Sequence, residues 1–201
     1  MSKDYNKINS EKLRNFSEDI KNQFENSRIR GPIHLSGNNE EKLIEIFKEI
    51  KDDDWVFSTH RSHYHALLHG IDPEWLKQEI MEGRSITIQN IKHRFVTSAI
   101  VGGSLSMALG VALSIKRSGD SGTKVWAFVG DMASAGGIFH EVVQYASKQC
   151  LPLRIVIEDN EFSTNTPTKD VWGFGEDKIV AHKYSYDRIY PHQGCGKWVQ
   201  F

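Results

Sequence analysis

The sequence predicts an α/β fold in which a parallel sheet is flanked by helices. Residues 124–129 form a short apolar run that is typical of a buried strand, and residues 153–157 form a second one. Between these runs, apolar residues recur at helical spacing over 137–148. A strand, a helix and a strand in this order predict a βαβ unit, whose strands are parallel and whose crossover is right-handed.

The sequence predicts a charged N-terminal arm followed by a single domain that includes this unit. Residues 1–30 are highly charged and carry apolar residues at helical spacing, which indicates an amphipathic N-terminal helical arm. The pair Gly31 and Pro32 ends that helix. We expect residues 31–201 to form a single domain, since this length is enough to bury a core.

Within the domain, the patterns predict several further elements. We expect helices over 40–51 and 73–81, a strand over 55–57 and an irregular polar loop over 89–98. Residues 99–116 are apolar on nearly every side and rich in small residues, which predicts a buried helix. This segment is too short, and too interrupted by serine and glycine, to cross a membrane.

Composition excludes several classes of function. The chain has 25 basic and 26 acidic residues and a net charge of −1, so bulk electrostatics does not favour nucleic-acid binding. There is no run of 18 apolar residues and no apolar leader, and so we expect no membrane span or signal peptide. The two cysteines make no disulfide framework and fit a reducing cytoplasm.

Polar side chains follow the two strands of the βαβ unit. Asp131 comes directly after the first strand, and Asn160 follows the second. The carboxyl ends of parallel strands form the edge where open α/β sheets bind ligands. A carboxylate, an amide oxygen and a backbone carbonyl near Phe162 are oxygen donors of the kind that Mg²⁺ prefers. The glycines at 136 and 137 open the next helix, whose N-terminal amides suit a phosphate.

A second polar segment follows the strand over 55–57. Residues 60–69 contain four histidines and an arginine. Histidines four positions apart can share a metal on one helix face. Arg61 and the histidines equally suit an anion such as a diphosphate, because guanidinium groups bind such oxygens through forked donors. The residues alone leave both interpretations open.

Four separate blocks of sequence resemble one family. The segments GDMASAGGIFHE and LPLRIVIEDNEF resemble the thiamine-diphosphate signature, a GDG followed just under thirty residues later by NN. Here Asp131 and Asn160 are 29 positions apart. Three further blocks, RGPIHLSGNNE, HRSHYHALLHG and the stretch over 100–112, resemble the alpha subunits of two-chain 2-oxo acid dehydrogenases of the pyruvate, branched-chain and acetoin types. The resemblance covers about residues 30–165 and implies a three-layer α/β/α cofactor-binding fold.

The resemblance also implies a set of site residues. Asp131, Asn160 and the Phe162 carbonyl would bind Mg²⁺. His60 and Arg61 would hold the diphosphate of the cofactor, and the backbone of Ala99 and Val101 would meet its aminopyrimidine ring. The cofactor-binding residues implied by the GDG-like motif itself are Gly130, Asp131, Met132 and Ala133.

Two substitutions depart from the family pattern. Met132 stands in place of the second glycine of GDG, and Asp159 stands in place of the first asparagine of NN. Both metal-ligand positions survive, so the resemblance still implies Mg²⁺. The chain is also shorter than such alpha subunits, whose later portion carries a histidine loop. The tail over 184–192 resembles that loop, which makes His192, together with His63 of the HRSHYHALLHG block, a candidate catalytic histidine; a surface position is the alternative for His192.

The implied function is that of half an enzyme. An alpha-type subunit of this kind works with a beta-type partner that supplies the catalytic glutamate, as a heterotetramer that decarboxylates a 2-oxo acid and transfers the acyl group. Two alternatives stay open: a split transketolase-like enzyme that moves a two-carbon unit from a ketose phosphate, and a non-catalytic cofactor-binding remnant. The small-residue helix over 102–115 is either a contact with the partner or a helix buried within the chain.

Overall fold

The computed structural model describes residues 8–173 and 181–200. Its main feature is a six-stranded sheet in the order β2-β3-β1-β4-β5-β8. Every neighbouring pair in it is parallel except β2 and β3, which are antiparallel at one edge. The six strands are β1 (Trp55–Ser58), β2 (Gln89–Asn90), β3 (Phe95–Thr97), β4 (Val125–Gly130), β5 (Leu153–Asp159) and β8 (His182–Ser185). A two-stranded hairpin follows β5, formed by β6 (Phe162–Ser163) and β7 (Thr166–Pro167).

Eight α-helices accompany the sheet in the described part of the chain. They are α1 (Ser10–Glu25), α2 (Glu40–Phe47), α3 (His63–Leu68), α4 (Pro73–Met81), α5 (Gly103–Ser118), α6 (Asp131–Ser134), α7 (Gly137–Lys148) and α8 (Thr168–Trp172). None of these helices combines the length and the apolar character needed to cross a bilayer.

The sheet separates two apolar cores. Alternate residues of a strand point to opposite faces, and β4 shows this directly: Trp126 and Phe128 belong to one core, whereas Ala127 and Val129 belong to the other. The first core also contains buried side chains of α1 to α4, and the second contains those of α5 and α7. This arrangement confirms the predicted α/β fold with a mainly parallel sheet flanked by helices.

The βαβ unit forms as the sequence predicts. Strands β4 and β5 pair in parallel from Val125 and Leu153 to Gly130 and Glu158, and α7 connects them. Helix α4 likewise matches the predicted bounds, because Asp72 caps its first turn by accepting from the Trp75 backbone N–H at 2.9 Å. The helix predicted over 40–51 ends earlier, at Phe47.

Two predictions for the middle of the chain are wrong. The expected loop over 89–98 contains β3, which pairs with β1 inside the sheet. A strand of three residues is too short to show a periodic pattern. The polar residues on either side of β3 make it look like part of a loop. The expected helix over 99–116 begins only at Gly103, after a turn in which Ile100 and Val101 are each 76% exposed. It is also not buried on every side: one face packs into the second core, whereas Met107 on the helix is 41% exposed.

The described tail, 186–200, crosses back over the first part of the chain. The Gly194 backbone N–H donates to the Ile33 carbonyl at 2.9 Å. Farther along, the Ser27 hydroxyl donates to the Gln200 carbonyl at 2.7 Å. The Tyr190 hydroxyl donates to Glu18 of α1 at 2.6 Å. These bonds fasten the tail across the first core and bring His192 to the carboxyl edge of the sheet.

The predicted division into an arm over 1–30 and a domain over 31–201 stays a prediction. Leu13, Ile20 and Phe24 of α1 are buried in the same core as the sheet residues. Residues 1–7 of that arm, and 174–180 and 201 of that domain, lie outside the described residues.

Candidate functional site

A cavity of about 370 Å³ opens at the carboxyl ends of the parallel strands. Its walls come from the loops after β1, β3, β4 and β5, together with the tail. The predicted site residues that line it are His60, Arg61, Ala99, Val101, Gly130, Asp131, Met132, Ala133, Asn160, Phe162 and His192. Residues that are far apart in the sequence therefore share one concave site.

Asp131 is a buried carboxylate without a counter-charge. It begins α6 directly after β4 and is 7% exposed. The Thr168 hydroxyl donates to it. Burial raises the pKa of this carboxyl, and the nearby Asp159 charge raises it further. Among the described residues, no basic side chain forms an ion pair with Asp131, and a cation bound there would supply the missing charge.

Asn160 lies in a tight turn just after β5. Its Oδ1 accepts from the Phe162 backbone N–H at 3.0 Å, and its Nδ2 donates to the Tyr186 hydroxyl at 3.3 Å. Glu161 between them takes a left-handed φ of 61°. The Arg188 guanidinium lies 4.6 Å above the Phe162 ring and fastens the hairpin that follows.

The oxygen atoms that Asp131 and Asn160 offer to the cavity fit Mg²⁺. The Asp131 carboxylate and the Asn160 amide are oxygen ligands, the type that this ion binds. Strands β4 and β5 pair as far as Gly130 and Glu158, which keeps the two strand ends close together. One carboxylate leaves room for the negative charge of a phosphate ligand on the same ion.

Arg61 supplies positive charge to the same cavity. Its guanidinium donates to the Leu35 carbonyl, and its Nη2 donates to the His192 carbonyl at 3.2 Å. Burial lowers the pKa of Arg61, although a guanidinium stays charged in proteins. His60, the neighbouring residue, is half-buried, and burial followed by the Arg61 charge lowers its pKa to about 4. An anion is the ligand that this pair suits.

His63 does not line the cavity. It lies at the start of α3, fully buried, where its Nε2 is 2.9 Å from the Ser85 hydroxyl. Burial, followed by the Arg61 charge, lowers its pKa to about 4. The structure therefore places this predicted catalytic histidine in the core behind the site, where substrate has no access.

A buried network beneath the site was not predicted. Glu158 lines the cavity and accepts from the Tyr184 hydroxyl and from His65 Nε2, the latter at 3.2 Å. The other nitrogen of His65 lies 2.6 Å from the Ser58 hydroxyl, so Ser58 donates to it. Glu158 lies two positions before Asn160 on β5, and this strand spacing is the signal that could have identified it.

His34 is the other site residue that the sequence did not reveal. Its ring lies 4.4 Å from that of His60 and 4.9 Å from that of His192, measured between centroids. A bridge between His34 and Gly194 brings the tail to it. His34 joins the site only because the tail folds back onto it, and no local sequence pattern predicts such a contact.

Comparison with known proteins identifies relatives across most of the chain. The family model described as "Dehydrogenase E1 component" matches residues 9–172. The alpha subunit of acetoin:2,6-dichlorophenolindophenol oxidoreductase from Bacillus subtilis (strain 168) is 30% identical over 165 residues, which covers 77% of this chain and 49% of that protein. The pyruvate dehydrogenase E1 component subunit alpha of Rickettsia prowazekii (strain Madrid E) is 28% identical over 164 residues, which covers 77% of this chain and 50% of that protein. The chain spans about half the length of the curated relatives it matches.

Proposed function

Because the chain belongs to the dehydrogenase E1 component family, we propose that it is the alpha-type half of a thiamine-diphosphate- and Mg²⁺-dependent enzyme. In this proposal the complete enzyme decarboxylates a 2-oxo acid and transfers the acyl group. The relative named for pyruvate dehydrogenation supports this class of substrate, because pyruvate is a 2-oxo acid. The relative named for acetoin acts on a hydroxyketone instead.

One observation carries the proposal most directly. Asp131, Asn160, His60 and Arg61 all line a single cavity at the carboxyl edge of the sheet. Asp131 and Asn160 form one functional pair, and His60 and Arg61 form the other. The first pair offers oxygen ligands to a divalent cation, and the second offers donors to an anion. A cofactor that carries a diphosphate through Mg²⁺ needs both kinds of group in one cavity.

In the proposed site each residue has a defined task. Asp131 and Asn160, with the Phe162 carbonyl, hold the metal, and Arg61 and His60 hold the diphosphate. Thiamine diphosphate, when bound, supplies the carbon that adds to the substrate carbonyl and the ring that accepts the electrons of the broken bond. The lining residues Ala99, Val101, Gly130, Met132 and Ala133 enclose the cofactor.

His192 is the proposed proton acceptor or donor toward substrate. It lines the cavity and is half-buried. Burial, followed by the charges of Arg61 and Arg188, lowers its pKa. The imidazole is therefore neutral near pH 7, the form in which it can take up a proton.

The catalytic glutamate is proposed to come from a beta-type partner. Within the described cavity lining, Asp131 and Glu158 are the carboxylates. Asp131 is assigned to the metal, and Glu158 is held by Tyr184 and His65. Neither is free to act on the cofactor ring.

An apolar rim at the mouth of the cavity is the proposed contact with that partner. We define the apolar rim as Ile100, Val101 and Ile138. All three side chains are exposed, and Ile138 lies against Gly102 beside the other two. Exposed apolar patches of this kind mark protein interfaces. A heterotetramer of two such pairs is the proposed assembly.

Isothermal titration calorimetry of the co-purified complex tests the proposal. We expect thiamine diphosphate to bind only with Mg²⁺ present, and Asp131→Ala to weaken that binding at least about tenfold. The matched control is Asp53→Ala, which removes an exposed carboxylate in the turn before β1. Unchanged binding by Asp131→Ala would refute the site, and assays with 2-oxo acids and ketose phosphates would identify the substrate.

A further inference from the structure

We propose that His34, His60 and His192 form a binding site for a divalent transition-metal ion of the zinc type, separate from the Asp131–Asn160 pair. Each of the three side chains offers one ligand nitrogen, and these nitrogens all lie within 4.8 Å of one another. Their rings meet edge to face, with centroids 4.4, 4.9 and 5.4 Å apart. Three convergent imidazoles are a ligand set that zinc sites use.

His34 provides independent support for a ligand at this cluster. Its side chain is 6% exposed, and its Nδ1 has no hydrogen-bond partner. Buried polar atoms are almost always paired, so an unpaired imidazole nitrogen needs an explanation. A metal ion bound by the cluster would provide one if Nδ1 is the ligand nitrogen.

The protonation state of the cluster suits metal binding. Burial is the largest cause that lowers the pKa of each histidine, to about 2 for His34 and about 4 for His60. The three imidazoles are therefore neutral near pH 7, which is the form that ligates a metal. The charge of Arg61 opposes a cation here, whereas the Glu158 carboxylate near His60 favours one. Arg61 also favours an anionic fourth ligand, such as hydroxide, on the cavity side.

Small movements would bring the cluster to tetrahedral geometry. With zinc–nitrogen bonds of about 2.0–2.1 Å, ligand nitrogens lie roughly 3.4 Å apart, so the imidazoles close by at most about 1.4 Å. His60 and His192 lie outside helices and strands and are half-buried, so their side chains are not packed on every side. Mg²⁺ does not compete for this site, because it prefers oxygen over imidazole.

The two sites share one residue. His60 belongs to the histidine cluster and is also assigned to the diphosphate in the proposed function. A metal on the cluster therefore withdraws His60 from the cofactor, a consequence that rests on the proposed function. The metal site itself does not depend on that function, because it can be tested on the chain without cofactor.

Titration of the purified chain with Co²⁺, without cofactor, tests the proposal. We expect the visible absorption bands of a tetrahedral Co²⁺ complex, one equivalent per chain, which Zn²⁺ abolishes and Mg²⁺ leaves unchanged. His34→Gln and His192→Gln should each weaken Co²⁺ binding at least tenfold. The matched control, His140→Gln, removes an exposed imidazole of α7 and should bind as the unaltered chain does.

Several results would overturn the proposal. One is the absence of tetrahedral bands with the unaltered chain. Another is a Co²⁺–thiolate charge-transfer band, which would assign the ion to Cys150 or Cys195 instead. A third is unchanged Co²⁺ affinity in His192→Gln. This variant alters a half-buried position on the tail, so the test stays valid even if His34→Gln fails to fold.

Discussion

Arg61 Nη2 donates to the backbone carbonyl of His192 at 3.2 Å. This bond joins the loop after β1 to the tail, 131 positions further along the chain. The same guanidinium donates to the Leu35 carbonyl. Arg61 therefore connects three separate segments at the wall of the cavity, and its charge and its geometry are both needed there.

We expect Arg61→Lys to weaken thiamine-diphosphate binding by about tenfold or more, although the charge is kept. A lysine ammonium lacks the planar fork that reaches two carbonyls and an anion together. Calorimetry of the complex with Mg²⁺ measures the loss. Arg154→Lys on the exposed part of β5 is the control and should bind normally. Equal affinity for both variants would exclude Arg61 from the diphosphate site.

Asp131→Asn should stabilise the metal-free chain while it abolishes Mg²⁺ binding. A raised carboxyl pKa means that the folded state disfavours the ionised form, so removal of the charge relieves the fold near pH 7. The Asn side chain keeps the shape and can still bond to Thr168. Thermal unfolding without metal should show a rise of about 2–4 °C. A fall in the midpoint would contradict the assignment of Asp131 as an uncompensated charge.

His63 should make the fold less stable in acid. Its folded pKa of about 4 lies below the unfolded value of 6.5, so the unfolded state gains the proton first. The contribution is complete above pH 6.5 and is lost as the pH falls toward 4, by an amount on the order of 3 kcal/mol. Urea unfolding at several pH values measures this loss. His63→Gln, which retains an amide to meet Ser85, should lose less stability over that window; an identical pH profile would contradict the prediction.

Tyr184→Phe should cost about 1–3 kcal/mol of unfolding free energy. The hydroxyl of Tyr184 donates to the buried Glu158 and accepts from Asn39, and its loss leaves both groups short of a partner. Chemical denaturation provides the measurement. Tyr145→Phe removes an exposed hydroxyl from α7 and should change stability by less than about 0.5 kcal/mol. Similar values for the two variants would show that the network beneath the site contributes little to the free energy of unfolding.

Ile100→Glu should prevent pairing with the beta-type partner without harm to the fold. The side chain is 76% exposed, so the charge meets water in the single chain but would be buried at an interface. Size-exclusion chromatography with light scattering detects the complex. Ile91→Glu, at another exposed apolar position outside the apolar rim, should leave pairing intact. Normal pairing by Ile100→Glu would place the interface elsewhere.

The parts of this fold that the sequence predicted are those with a repeated local pattern. Helix α7 has three turns of regular apolar spacing, and β4 is a continuous apolar run between turn residues. Strand β3 has only three residues, so its place in the sheet depends on pairing with β1, which no local pattern encodes.

The site divides in the same way. Asp131 and Asn160 follow predicted strands, and so their meeting at one edge could be foreseen. The sequence could not show which histidines of 60–69 belong to the site and which to the core, because their surroundings depend on tertiary packing. His60 lines the cavity, whereas His65 stacks on Phe128 at 4.3 Å inside the core. His34 and His192 meet only because the tail returns.

The return of the tail across α1 has a mechanical consequence. The Tyr190–Glu18 bond joins residues 172 positions apart, and His192 lies two positions beyond that anchor. A displacement of α1 would therefore be transmitted to His192 through this bond, without a displacement of the sheet. We therefore expect a spectroscopic label on the exposed face of α1 to respond when a ligand binds in the cavity.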